Sequence, residues 1–206
     1  MTKFTEIIID TNIFIKTIEK ELEWLKDKDQ RNVCEYVFKI LENLFYRIHD
    51  VLAESQYINL MSNQINELKR WLCTNVCKYI TDINKRIKEM LPYPIAESRR
   101  LSVSSKKLTR LTQPKIEMLK RKLRRHKRIV EQIEKMRDKV DKSIIYYSLS
   151  CGMRGKKVKV VTTDIALHDA LLNKARELRV SDNLTATYVK PGEVSLPMIG
   201  DIVRDP

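Results

Sequence analysis

The chain alternates between short apolar runs and longer stretches in which apolar residues recur every three or four positions. The run from Glu6 to Ile9 is mostly β-branched and predicts a short buried strand that ends at Asp10. A helix is predicted from Ile13 to about Lys26, with Asp10 or Thr11 as its N-cap. A second amphipathic helix is predicted between Val33 and Phe45.

The middle of the chain predicts mostly helix. Residues 46–51 form a weak candidate strand, and a helical stretch begins at Leu52. Helical spacing then continues from Ile65 to Met90, where two prolines end it. A basic, serine-rich loop is predicted over 97–113, followed by a second long helix from Pro114 to Met136. Two long helices joined by a loop predict an antiparallel arm that protrudes from the body.

The last third of the chain again alternates helix and strand. A helix is predicted over Asp141–Leu149, a strand over Val158–Val161, a helix over Ala166–Leu178 and a weaker strand over Ala186–Val189. Strands that alternate with helices are typical of an α/β fold with a parallel sheet.

Composition excludes several classes of protein. Only four of the 206 residues are glycine, so a glycine-rich phosphate loop of the Walker or dinucleotide type has no place in the sequence. No run of 18 apolar residues is present, and an acidic residue interrupts the apolar stretch near the N-terminus. We therefore expect neither a membrane span nor a signal peptide, and a cytoplasmic location.

Positive charge is concentrated in one segment. The formal net charge is +13, and the segment from Ser98 to Arg128 holds thirteen Lys or Arg against the single acid Glu117, a net +12. A nearly neutral body with one cationic segment favours a polyanionic partner, because phosphates neutralised by Lys and Arg release their counterions. A solvated surface helix without a partner is the alternative interpretation.

Acidic residues follow two of the predicted strands, Glu6–Ile9 and Val158–Val161. Asp10 and Asp164 each stand between a strand and a helix, and the carboxyl ends of parallel strands lie at one edge of the sheet. Asp141 begins the helix before the second of these strands, and Glu54 begins a helix after the weak strand. Each residue has an alternative role as a helix cap. Four converging carboxylates would raise one another's pKa and would suit Mg²⁺ or Mn²⁺.

Four segments resemble the acidic motifs of PIN-domain nucleases. They are IIIDTN (Ile7–Asn12), Glu54 within VLAES, DKSIIYYSL (Asp141–Leu149) and VVTTD (Val160–Asp164). The resemblance implies a three-layer α/β/α sandwich with a central parallel sheet, formed by residues 1–61 and 138–206. Residues 62–137 would then be an inserted, strongly basic helical arm.

The resemblance also implies a metal-dependent nuclease site, with RNA as the usual substrate. The Mg²⁺ or Mn²⁺ ligands would be Asp10, Glu54, Asp141 and Asp164. Asn12 and Thr162 would orient these ligands by hydrogen bonds, and Asp169 would add a more distant carboxylate. Asp138 is an alternative to Asp141, and Asp50 to Glu54. His168 follows Asp164 by one helical turn and is a further candidate for the same edge.

The leading hypothesis is an endoribonuclease whose basic arm binds the RNA backbone without reading sequence. The residues expected to contact the backbone are Arg99, Arg100, Lys106, Lys107, Arg110, Arg121, Arg124, Arg125 and Arg128. Two alternatives stay open: a non-catalytic nucleic-acid-binding or scaffold protein, and a toxin that pairs with an antitoxin. DNA as the substrate and a homodimer also stay open.

Overall fold

The computed structural model describes residues 5–23, 35–43, 56–75, 108–111 and 113–195. Within these ranges the strands are β1 (Thr5–Ile9), β2 (Gln56–Met61), β3 (Leu108–Leu111), β4 (Lys157–Thr162) and β5 (Leu184–Tyr188). The helices are α1 (Thr11–Glu23), α2 (35–43), α3 (Ser62–Asn75), α4 (Gln113–Leu123), α5 (Lys127–Glu134), α6 (Lys139–Gly152) and α7 (Ile165–Glu177). None of the described helices has the length and apolar character that a membrane crossing needs.

The described strands form a parallel sheet in the order β3-β2-β1-β4-β5. The chain moves outward from β1 through β2 to β3, and then continues on the other side of β1 with β4 and β5. The order therefore reverses between β1 and β4. In open α/β sheets, this reversal opens a crevice at the carboxyl ends of the strands, where ligands bind.

Both faces of the central strand β1 are covered. Ile7, Ile8 and Ile9 are all fully buried, which is why this strand is continuously apolar rather than alternating. Ile8 and its register partner Val160 belong to one hydrophobic core with α4, α5, α6 and α7. Burying one such side chain contributes about 1.5–3 kcal/mol. The fold is α/β with a parallel sheet, compatible with three layers.

Helix α6 is the main helix of this core. All residues from Ser143 to Gly152 are buried, and the helix packs against α4, α5 and α7. Its N-cap is Asp138, whose Oδ1 accepts hydrogen bonds from the backbone N–H groups of Val140 (2.6 Å) and Asp141 (3.0 Å). The cap sets the start of α6 at the carboxyl edge of the sheet.

A buried polar contact joins α6 to the opposite, amino edge. The hydroxyl of Tyr147 donates to Oε2 of Glu6 at 3.1 Å, and Lys156 forms an ion pair with the same carboxylate. Burial raises the pKa of Tyr147, so its hydroxyl keeps its proton and remains a donor.

The predicted helical stretch after Leu52 is wrong over 56–61, where the structure has β2. The candidate strand over 46–51 lies outside the described residues. Short apolar runs are compatible with either helix or strand, and parallel pairing with β1 decides in favour of strand.

The predicted loop over 97–113 is wrong at its end. Leu108–Leu111 form β3, which pairs with β2 although only two of its four residues are apolar. Helix α3 is described to Asn75, and residues 76–107 of the predicted arm lie outside the described residues.

The single long helix predicted over Pro114–Met136 is also wrong. The chain turns at Arg124–His126, and two helices, α4 and α5, replace it. Leu119, Leu123, Ile129 and Ile133 all enter the same core as α6. Because the apolar stripe is buried in this way, the described parts of 62–137 pack on the body and do not protrude.

Candidate functional site

Asp10 lies directly after β1 at the switch point of the sheet, with 2% of its surface exposed. Its N–H donates to the carbonyl of Val161 at 2.9 Å, which extends the pairing with β4 by one residue. Burial raises the pKa of Asp10 to about 6. The Thr162 hydroxyl opposes this shift by donating to Oδ2 at 2.7 Å, whereas Glu67 and Asp164 reinforce it.

Thr162 connects two of the predicted ligands. Its hydroxyl donates to Asp10 and accepts the backbone N–H of Asp164 at 2.9 Å. Asp164 caps α7, because its Oδ1 accepts hydrogen bonds from the N–H groups of Ala166 (2.7 Å) and Leu167 (3.1 Å). Capping uses one carboxylate oxygen of Asp164, so the cap role and a ligand role are compatible.

Asp141 lies in the first turn of α6, one turn after the capping residue Asp138. Burial raises the pKa of Asp141 to about 7, and the carboxyls of Asp138, Asp10, Asp164 and Glu67 add to the shift in that order. The alternatives Asp138 and Asp141 therefore differ in role: Asp138 holds the helix start, whereas Asp141 faces the other acids.

Glu67 of α3 is the carboxylate that the sequence analysis missed. Two side chains of the preceding turn position α3: Gln64 donates to the carbonyl of Ile9 at 2.7 Å, and Asn63 donates to the Ser143 hydroxyl at 3.0 Å. Burial raises the pKa of Glu67, and the carboxylate of Asp138 adds to this rise. Four elements of the chain thus bring acids together at the switch point.

Glu54 and its alternative Asp50 lie outside the described residues. Glu67 occupies the second turn of α3, the helix after β2. Like Asp141 and Asp164, it therefore lies near the start of a helix at the carboxyl edge of the sheet. The sequence feature that indicates Glu67 is the run Gln56–Met61, which is strand-like and precedes Ser62, a common capping residue type.

A buried hydroxyl faces this cluster. The Thr11 side chain is 1% exposed, and its oxygen lacks a hydrogen bond of full geometry to any described residue. It lies close enough to Glu67 to lower the pKa of that carboxyl. Thr11 thus places a buried hydroxyl oxygen next to the Glu67 carboxylate.

The donor chemistry suits a hard divalent cation, since carboxylate and hydroxyl oxygens are typical ligands of Mg²⁺ and Mn²⁺. As the side chains stand, however, no three His, Cys, Asp or Glu residues in the described part of the chain are grouped closely enough to hold one ion. The acids act on one another electrostatically, and ligand binding would require their side chains to move inward.

The remaining predicted residues have different surroundings. Asn12 is half-buried, and its backbone N–H lowers the pKa of Asp10. Asp169 is exposed, and its Oδ1 lies 2.9 Å from Nδ1 of His168. Asp169 is not among the carboxyls that act most strongly on Asp10 or Asp141.

Five of the predicted backbone-contacting residues fall within the described chain, in two places. Arg121, Arg124, Arg125 and Arg128 are exposed around the turn between α4 and α5, and Arg110 lies on β3. Arg99, Arg100, Lys106 and Lys107 lie outside the described residues. The Ser150 hydroxyl, near the end of α6, donates to the carbonyl of Leu119 just before this turn. Asp141 and Ser150 are nine residues apart on α6, or about 14 Å. The basic turn is thus at the opposite end of α6 from the acidic cluster.

We compared the chain with protein-family models, curated proteins and solved structures, and none of them matches it.

Proposed function

We propose that this protein is a divalent-metal-dependent nuclease that hydrolyses phosphodiester bonds in RNA. The observation that carries the proposal is that Asp10, Glu67, Asp141 and Asp164 lie near enough at the switch point of the parallel sheet to act on one another electrostatically. The charges that act most strongly on Asp141 are four other carboxyls. A cluster of this kind becomes more stable when it takes up a cation.

Asp10, Glu67, Asp141 and Asp164 would hold Mg²⁺ or Mn²⁺. When bound, the cation supplies an activated water and neutralises the charge that develops on the phosphate. Thr162 donates to the Asp10 carboxylate and accepts the backbone N–H of Asp164, so it links the end of β1 to the start of α7. Gln64 holds α3 against the end of β1 and thereby sets the approach of Glu67.

RNA is favoured as the substrate by the resemblance to PIN-domain nucleases and by the exposed basic turn at 121–128. A strand that contacts both the turn and the acidic cluster must cover at least the 14 Å or so along α6. At about 3.4 Å per nucleotide of a stacked strand, this length corresponds to four or more nucleotides.

A second candidate function is RNA binding without cleavage. The observation that favours it is the spacing of the acids, since no three in the described residues are grouped to hold an ion as they stand. The basic turn would serve either function, so only an activity measurement separates the two.

The test is cleavage of labelled RNA and DNA by wild type, Asp10→Asn and Asp182→Asn in Mg²⁺, Mn²⁺ or EDTA. Asp182 is an exposed aspartate away from the cluster and serves as the matched control. We expect metal-dependent RNA cleavage by wild type and Asp182→Asn, and none by Asp10→Asn although it still binds RNA. Turnover by Asp10→Asn, or cleavage that persists in EDTA, would refute the proposal. RNA binding without cleavage by wild type would support the second candidate.

A further inference from the structure

An exposed apolar rim lies beside the acidic cluster. In the described part of the chain, four large apolar side chains are exposed: Met118, Met153, Ile165 and Tyr188. Ile165 follows Asp164 directly and is 59% exposed, and Tyr188 ends β5 and is 36% exposed. Two of the four therefore lie at the carboxyl edge of the sheet, next to a predicted metal ligand.

The sheet register fixes the position of Tyr188. Its partner across the β4–β5 pairing is Thr162, whose hydroxyl bonds Asp10. The pairing continues past Tyr188, since the N–H of Val189 donates to the carbonyl of Thr162 at 2.9 Å. Neighbouring strands are about 4.8 Å apart, so the Tyr188 backbone is one strand away from the residue that holds Asp10.

The ring of Tyr188 is held by a second ring. His168 of α7 contacts it edge to face, with 6.3 Å between ring centroids and 63° between planes. The Asp169 carboxylate in turn contacts Nδ1 of His168 at 2.9 Å and orients its ring. Aromatic side chains fixed in advance lose little conformational entropy on binding.

We infer that Tyr188, with its ring packed against His168, forms a subsite that stacks an RNA base next to the reacting phosphate. This inference rests on the proposed function, because RNA is the occupant to which it commits. The argument for RNA is position, because Tyr188 pairs with the residue that holds Asp10 and so adjoins the edge at which a phosphodiester would react. A flat, partly exposed ring accepts any base by stacking and needs no sequence-specific hydrogen bonds.

The test measures RNA affinity in EDTA, where the proposed nuclease does not cleave. Wild type, Tyr188→Leu and Tyr188→Phe are titrated against a short labelled RNA and an abasic ribose-phosphate oligomer of equal length. Leucine keeps apolar surface without a ring, and phenylalanine keeps the ring without the hydroxyl. We expect Tyr188→Leu to weaken RNA binding about 5- to 150-fold, the cost of losing one stacked base. Tyr188→Phe should bind as wild type does, and all three should bind the abasic oligomer equally.

Two results would overturn the inference: unchanged RNA affinity in Tyr188→Leu, or an equal loss of affinity on the abasic oligomer. A Tyr188→Trp variant provides a second measurement that does not depend on the folding of Tyr188→Leu. Its added tryptophan fluorescence should be quenched by RNA and not by the abasic oligomer, and the absence of quenching would also contradict the inference. Base-dependent binding through Tyr188 without any cleavage would support the subsite and refute the nuclease. Metal-dependent cleavage that Tyr188→Leu leaves unchanged would support the nuclease and refute the subsite.

Discussion

Replacement of Asp10 by asparagine should stabilise the metal-free protein. Burial raises the pKa of this carboxyl from 3.8 to about 6, roughly two units, at a site that is 2% exposed. Each unit corresponds to 1.36 kcal/mol, so ionised Asp10 costs the folded state about 3 kcal/mol relative to its protonated form. Asparagine is neutral at every pH and still offers an oxygen to the Thr162 hydroxyl.

The effect depends on pH in a defined direction. Between about pH 4 and pH 6 the folded protein keeps the Asp10 proton that the unfolded chain has lost. The contribution of this proton to stability is therefore complete below about pH 4 and is lost as the pH rises through 6. Asp10→Asn lacks this pH dependence. The difference in free energy of unfolding between Asp10→Asn and wild type should therefore be about 3 kcal/mol larger above pH 6 than below pH 4.

Urea unfolding in EDTA, followed by circular dichroism at intervals from about pH 4 to pH 8, measures this difference. Asp182→Asn, which changes an exposed aspartate, should follow the wild-type profile at every pH. Parallel pH profiles for wild type and Asp10→Asn would refute the reasoning, because they would mean that Asp10 does not retain its proton in the folded state.

Three further predictions concern the metal, the basic turn and the buried contact at the amino edge. Mg²⁺ or Mn²⁺ at 100 times its dissociation constant should raise the stability of wild type by about 2.7 kcal/mol and that of Asp10→Asn much less, measured by thermal unfolding; equal shifts would argue against a metal site at Asp10. Neutralising the four exposed arginines Arg121, Arg124, Arg125 and Arg128 should reduce the salt slope of single-stranded RNA binding by up to about 3, and an unchanged slope would remove the turn from RNA binding. Tyr147→Phe should cost about 1.5–3 kcal/mol in urea unfolding, because Glu6 loses a buried donor; a much smaller loss would mean that the other partners of Glu6, Lys156 among them, satisfy this carboxylate.

The strands and helices around the switch point were predictable because their signals are local. The predicted strands over Glu6–Ile9 and Val158–Val161 are confirmed as β1 and β4, each within a residue at either end. The helices α6 and α7 are confirmed as well. A continuous β-branched run is typical of a strand that is buried between two layers of helices. An aspartate directly after such a strand lies at the carboxyl edge of a parallel sheet.

The break between α4 and α5 was not predictable in the same way. Apolar spacing over 114–136 is regular, and Arg124–His126 contain no proline or glycine to end a helix. The chain turns there because Leu119 and Leu123 on one side and Ile129 and Ile133 on the other all pack into the core with α6. Such packing depends on residues that are distant in sequence, and the apolar spacing within one segment carries no information about them.

By itself, the sequence determined the alternation of strands and helices, the cationic segment and the positions of Asp10, Asp141 and Asp164 at element ends. Only the tertiary structure decided that β2 and β3 join the sheet, that Glu67 approaches these acids, and that the basic turn lies at the far end of α6. The physical reason is that helix periodicity and capping act within a few residues, whereas strand order and helix packing are decided by contacts between distant segments.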